Sequence, residues 1–137
     1  MMQMKRRCPD AKPYKSGWLI GYELIYRGSK TGSYATVRKA DGKYVPVGLW
    51  KISREDERCL DRYEGYPVFY QKQTVSVALC DGKTIKAMIY IMRPDAKPGR
   101  PSEAYIDTIY RGYHDFSLDY RFLMDSIRLN DLELCSS

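Results

Sequence analysis

The sequence is poor in the residues that most often carry catalysis. It has one histidine, His114, beside Asp115, so a histidine-based triad or metal cluster lacks most of its parts and no metal is expected. The four cysteines, at 8, 59, 80 and 135, are scattered with no CxxC pair. That argues against a zinc knuckle or a disulfide framework and for free thiols. There is no glycine-rich phosphate loop of Walker type and no dinucleotide fingerprint, so no cofactor is expected. No apolar run approaches the roughly 20 residues of a membrane-spanning helix, and residues 1–7 are not followed by the apolar core of a signal peptide. The expected setting is cytoplasmic, with no membrane contact.

What is present is the balance of a folded globular chain, 44% hydrophobic and 29% charged over 137 residues. A second core would need surface that so short a chain cannot bury, so one domain over residues 1–137 is expected. The net charge of +6 raises the question of a phosphate-rich partner. Apart from Lys5, Arg6 and Arg7, however, basic residues alternate with acidic ones, as between Arg54 and Arg58. That pattern reads as a solvated face, and no nucleic acid is expected.

Thirteen tyrosines, many beside β-branched residues, favour pleated, half-buried strands in the first two thirds. Residues 17–26 alternate, with Trp18, Ile20, Tyr22, Leu24 and Tyr26 on one face. Two further strands, 34–38 and 45–52, are expected to pair across Asp41-Gly42 as a hairpin turn. Ser53 followed by Asp56 is a capping box, and Gly65 is a helix stop, so a short helix carrying Leu60 and Tyr63 ends at or near Glu64. A second hairpin, 69–79 with 84–92, turns at Asp81-Gly82. After a proline-rich loop at 93–101, Ser102 caps a helix with Tyr105, Ile106, Ile109 and Tyr110 inward, ending near Gly112. A last helix spans 117–129. The order of elements predicts an α+β fold, an antiparallel meander with a helix inserted midway and a helical carboxyl end.

One carboxylate stands in an unusual neighbourhood, Leu60-Asp61-Arg62-Tyr63-Glu64-Gly65-Tyr66-Pro67. Aromatic residues flank Glu64, and a glycine lets the backbone turn after it. Proton transfer is one reading, and a solvated glutamate at a helix end is the other. Trp18 and Trp50 have the spacing of packed strand residues.

Several segments together carry a resemblance. Residues 3–11, Leu19-Ile20-Gly21-Tyr22, Tyr34-Ala35-Thr36-Val37, Val47-Gly48-Leu49-Trp50-Lys51-Ile52, Leu60-Asp61-x-x-Glu64-Gly65, Tyr70 and Pro101-Ser102-x-x-Tyr105 resemble the γ-glutamylcyclotransferase or AIG2-like family, in the family's order and over nearly the whole chain. The resemblance implies a small mixed, mainly antiparallel β-barrel flanked by helices. It also implies release of 5-oxoproline and a free amine from a small-molecule γ-glutamyl substrate, by attack of the substrate's own α-amino group. Glu64 matches the family's acid/base residue. Tyr70, Tyr90 and Tyr105 match positions where aromatic hydroxyls surround the substrate, the alternative being plain core or rim tyrosines.

The family's Tyr-Gly-Ser-Asn-Leu strand and loop has no counterpart in these 137 residues. That loop offers backbone N–H groups to the substrate, and one such donor is commonly worth about 10²- to 10³-fold in rate. The expectation is therefore a barrel lacking its first strand, with weak or no activity as it stands, or a homodimer formed through the exposed sheet edge. A non-catalytic member of the same fold, binding a small γ-glutamyl or acidic ligand, is the alternative.

Overall fold

Tyrosine-rich alternation produces two long strands, β1 (Lys12–Ser29) and β2 (Gly32–Lys51), paired antiparallel from Lys12↔Lys51 to Ser29↔Gly32. The computed structural model describes residues 8, 10–29 and 32–136. The basic run at 5–7 and most of the 3–11 segment lie outside the described residues. Helix α1 (Arg54–Glu64) follows, then a second hairpin of β3 (Tyr70–Leu79) and β4 (Thr84–Met92), then α2 (Glu103–Asp115) and α3 (Tyr120–Ser136). The sheet order is β2-β1-β3-β4, so the fold is α+β as the element order implied.

Several expectations change. Asp41-Gly42 is not a hairpin turn, because β1 is long enough to pair with both halves of β2 at once. The register jumps from Ile20↔Tyr44 to Tyr22↔Lys39, leaving Asp41 and Gly42 to bulge out of the ladder. The same irregularity resets the alternation. Leu19 is 1% exposed and Ile20 64%, the reverse of the anticipated face, while Tyr26 beyond the bulge is fully buried. The connectivity is also not a meander, since β3 returns to pair with β1 rather than β2.

The barrel is not closed among the described residues. Strands β1 and β3 meet at Gly17↔Leu79 and Trp18↔Ala78. A Cβ on Gly17 would lie 2.6 Å from Val77 Cγ1, so only glycine permits that approach. At the other edge the Met92 N–H donates to the Thr36 hydroxyl (2.9 Å), a side-chain link where a closed barrel would have a ladder. All described strand pairs are antiparallel, with no parallel pair to make the sheet mixed.

The core has three parts. Leu19, Val37, Val45, Val75 and Val77 pack between the two hairpins. Leu60 of α1 packs on Cys8, Ala11 and Tyr90, and burying such a side chain is worth roughly 1.5–3 kcal/mol. Tyr26, Ile109, Tyr113 and Leu123 join α2 and α3 to the first hairpin. Tyr113 is buried, which extends the apolar face of α2 past Gly112 to Asp115. Tyr110, expected inward, is instead 44% exposed and stacks on Tyr120 at 4.4 Å. Tyr63, placed three residues after Leu60, is exposed as well. No helix of the described residues is long and apolar enough to cross a membrane.

Candidate active site

The position of Glu64 is fixed by how α1 starts and stops. Ser53 Oγ accepts from the Asp56 N–H (3.0 Å) while Asp56 Oδ2 accepts from the Ser53 N–H (3.1 Å), a complete capping box. At the other end Gly65 adopts φ 71°, its N–H donates to the Arg62 carbonyl (3.3 Å), and the Tyr66 N–H donates to the Asp61 carbonyl (2.9 Å). This is the Schellman pattern, and it leaves Glu64 as the last helical residue. A side chain on Gly65 would be strained by the φ, and its Cβ would sit 2.5 Å from the Phe69 ring.

The Gly65 carbonyl then accepts from the N–H groups of Val68 (2.8 Å) and Phe69 (2.9 Å), folding the chain back so that β3 starts at Tyr70. The Glu64–Tyr70 neighbourhood is thus built locally. Tyr105 arrives from far along the chain. Ser102 Oγ accepts its backbone N–H (3.1 Å), starting α2, and the Tyr105 hydroxyl accepts from the Ala35 N–H (3.1 Å), fastening α2 to β2. Its ring meets Tyr34 edge to face at 5.2 Å.

Glu64 is half-buried, and its charge acts on phenols from other elements. Burial raises the Tyr70 phenol above its ordinary value, and the Glu64 charge is the next cause. Burial pushes Tyr105 up to about 12, opposed by the Ala35 N–H and aided by the Glu64 charge. Both phenols therefore keep their protons near neutral pH and remain donors.

Tyr90 is placed differently. Its hydroxyl donates to Asp61 Oδ1, and Lys72 Nζ bridges Asp61 Oδ2 (3.1 Å) and Glu57 Oε2 (2.7 Å) while lying 4.4 Å from the Tyr66 ring centre. Burial and then the hydrogen bond to Asp61 raise the Tyr90 phenol, with Glu64 the last of its causes. The Glu64 charge thus acts on all three phenols, and of the three it is the Tyr90 hydroxyl that is hydrogen-bonded to Asp61. Tyr34 and Asp61 were not singled out as site residues, although both lie inside segments that carry the resemblance. The helical period was the available signal for Asp61, which sits one turn from Glu57 and Glu64. His114, past the expected helix end near Gly112, is in the last turn of α2, with Nδ1 3.2 Å from the Tyr120 hydroxyl.

A glutamate at the end of α1 whose charge acts on phenols of β3 and α2 belongs to a fold already seen. The chain is similar to a solved gamma-glutamyl cyclotransferase (TM-score 0.83, 24% identity, covering 90% of this chain and 77% of that one). It is similar to an uncharacterized protein from Homo sapiens (TM-score 0.82, 25% identity, 90% and 78%). It is also similar to YkqA from Bacillus subtilis (TM-score 0.76, 22% identity, 93% of this chain but 46% of that one). The gamma-glutamyl cyclotransferase, AIG2-like family matches residues 2–110, and the chain belongs to that family. No curated protein matches the sequence.

Proposed function

We propose that the chain is a γ-glutamyl amine cyclotransferase in which Glu64 moves the protons. The observation that supports this reading is the half-buried Glu64 whose charge is felt by two half-buried phenols, Tyr70 and Tyr105, from separate elements. The substrate's α-ammonium loses a proton to the Glu64 carboxylate, and the freed nitrogen attacks the γ-carbonyl and closes the five-membered ring. The bond from that carbonyl to the leaving nitrogen breaks as the nitrogen is protonated. From ammonium to lactam the α-nitrogen gives up two protons, and the departing ammonium gains two. One carboxyl that alternately accepts and donates closes this balance.

Holding the γ-glutamyl arm folded supplies much of the rate, because the reaction is intramolecular. Tyr70 and Tyr105 donate to Glu64 or to the substrate carboxylate and wall out water. The test is 5-oxoproline release from a panel of γ-glutamyl amines by the wild type and Glu64→Gln. The isosteric variant is expected to lose about 10²- to 10⁴-fold in turnover. Equal rates would remove Glu64 from this role, and saturable binding of the panel without turnover in the wild type would favour the non-catalytic alternative.

A further inference from the structure

A cleft of about 650 Å³ lies between the β1–β2 hairpin and α3, within the size range of small-molecule sites. Its apolar wall includes Leu24, Ile25 and Val45 from the sheet and Phe122 and Leu129 from the helix. Glu64, Tyr70 and Tyr105 take no part in its lining, so it is separate from the candidate active site.

Three polar side chains in this lining are more than nine-tenths buried, Tyr113 (6% exposed), Ser126 (7%) and Asn130 (4%). Tyr113 Oη and Asn130 Oδ1 have no hydrogen-bond partner among the described residues. The orientation of the Asn130 amide follows from its other end. Nδ2 donates to the Gly99 carbonyl (2.8 Å), which cannot serve an oxygen, so Oδ1 is left as an acceptor. Adjacent polar groups are satisfied: Tyr26 Oη and Ser126 Oγ are 2.8 Å apart, and Ser126 Oγ donates to the Leu123 carbonyl (2.7 Å). Buried groups without partners are few in native proteins and each calls for an explanation.

The charges at the rim are already paired. Glu23 is held by Arg38 (2.8 Å) and Lys43 (3.4 Å), Glu133 by Arg27 (3.4 Å), and Asp125 by Arg128 (3.6 Å). No unmatched charge asks for an ion. The requirement is an apolar body with a donor for Asn130 Oδ1 and a polar atom for Tyr113 Oη.

We propose that this cleft is a second small-molecule site, taking an uncharged amphipathic ligand whose apolar part lies against Ile25, Phe122 and Leu129 and whose polar end engages Asn130 Oδ1 and Tyr113 Oη. Trp18 is a built-in reporter, because its ring touches Tyr44 (5.4 Å) and Phe122 (5.2 Å), and both line the cleft. The probe is 3-phenylpropionamide, with 3-phenylpropionate as the charged analogue of equal size. The amide is expected to change the tryptophan fluorescence saturably with Kd below about 1 mM, and the acid to bind at least about tenfold more weakly.

Tyr113→Phe removes a hydroxyl that has no partner in the unliganded protein, so its melting temperature should not fall while its affinity drops about three- to tenfold. Leu129→Trp, at a position 45% exposed on α3, should fill the cleft and abolish binding. Glu64→Gln should bind like the wild type. No saturable response by about 10 mM amide, unchanged affinity in Tyr113→Phe, an acid that binds as well as the amide, or loss of binding in Glu64→Gln would each overturn the proposal.

Discussion

Two of the carboxylates on helix α1, Asp61 and Glu64, lie one turn apart, and their surroundings differ. Both oxygens of Asp61 have partners, the Tyr90 hydroxyl on one and Lys72 on the other, and Lys72 also grips Glu57. Taking a proton there would disrupt the ion pair that ties α1 to β3 and the hydrogen bond that ties it to β4. Glu64 ends the helix, and its charge is among the causes that raise the phenols of Tyr70 and Tyr105, which hold their protons well above neutral pH. The same kind of residue on the same helix is thus a fastener in one place and a candidate acid/base group in the other. The partners decide which, and the side chain alone does not.

The largest effect expected from this contrast is the loss of turnover in Glu64→Gln, about 10²- to 10⁴-fold, with little change in melting temperature. Asp61→Asn should show the opposite profile, a lower Tm and turnover within about tenfold of wild type. If Asp61→Asn abolished turnover in a protein as stable as the wild type, the division of roles would be wrong.

Alkaline pH should act on both regions together. The phenols of Tyr70, Tyr90 and Tyr105 are raised in the folded state, whereas an unfolded tyrosine ionises near 10. A raised phenol favours the folded state fully below pH of about 10, and that contribution disappears as the pH climbs through the folded value, about 12 for Tyr105. Urea midpoints should therefore be flat up to pH of about 10 and drop steeply above it. The phenolate absorbance should rise together with loss of the circular dichroism signal, and full ionisation before unfolding would contradict the burial of these rings.

Gly65→Ala should come next. It combines a left-handed backbone with a Cβ driven into Phe69, at a cost of about 1–3 kcal/mol in a denaturant titration. It should also shift Glu64 relative to Tyr70 and reduce turnover more than its stability loss accounts for. The smallest effects separate the tyrosines. Tyr90→Phe is expected to cost about 1–2 kcal/mol of stability with turnover nearly unchanged. Tyr105→Phe is expected to reduce turnover about tenfold, also losing the hydrogen bond from the Ala35 N–H. Identical behaviour of these two variants would erase the distinction between the two carboxylate neighbourhoods.

Local grammar made much of this structure readable. The Ser53 capping box, the Gly65 stop, the Asp81-Gly82 turn and the Ser102 cap all sit where the sequence placed them, because each depends on groups within a few residues. The α1 end that presents Glu64 was legible for the same reason. The Asp41-Gly42 bulge was not, because a turn dipeptide looks alike whether its flanks pair with each other or with a third strand. The role of Tyr90 was equally hidden, since its hydroxyl meets a residue 29 positions away. The unclosed sheet depends on where two hairpins part, which no single segment encodes.

By itself the sequence determined both ends of α1, the start of α2, the second hairpin, the α+β class and the family, all of which follow from short-range hydrogen bonding and residue pattern, whereas α2 runs past Gly112 to Asp115 and the last helix is Tyr120–Ser136 rather than 117–129. Tertiary structure alone decided that Tyr105 meets Tyr34 while Tyr90 goes to Asp61, that β3 returns to β1, and that a cleft opens under α3. Those outcomes depend on which distant surfaces bury each other, and a pair of side chains from separate elements acquires its interaction only when the whole core has formed.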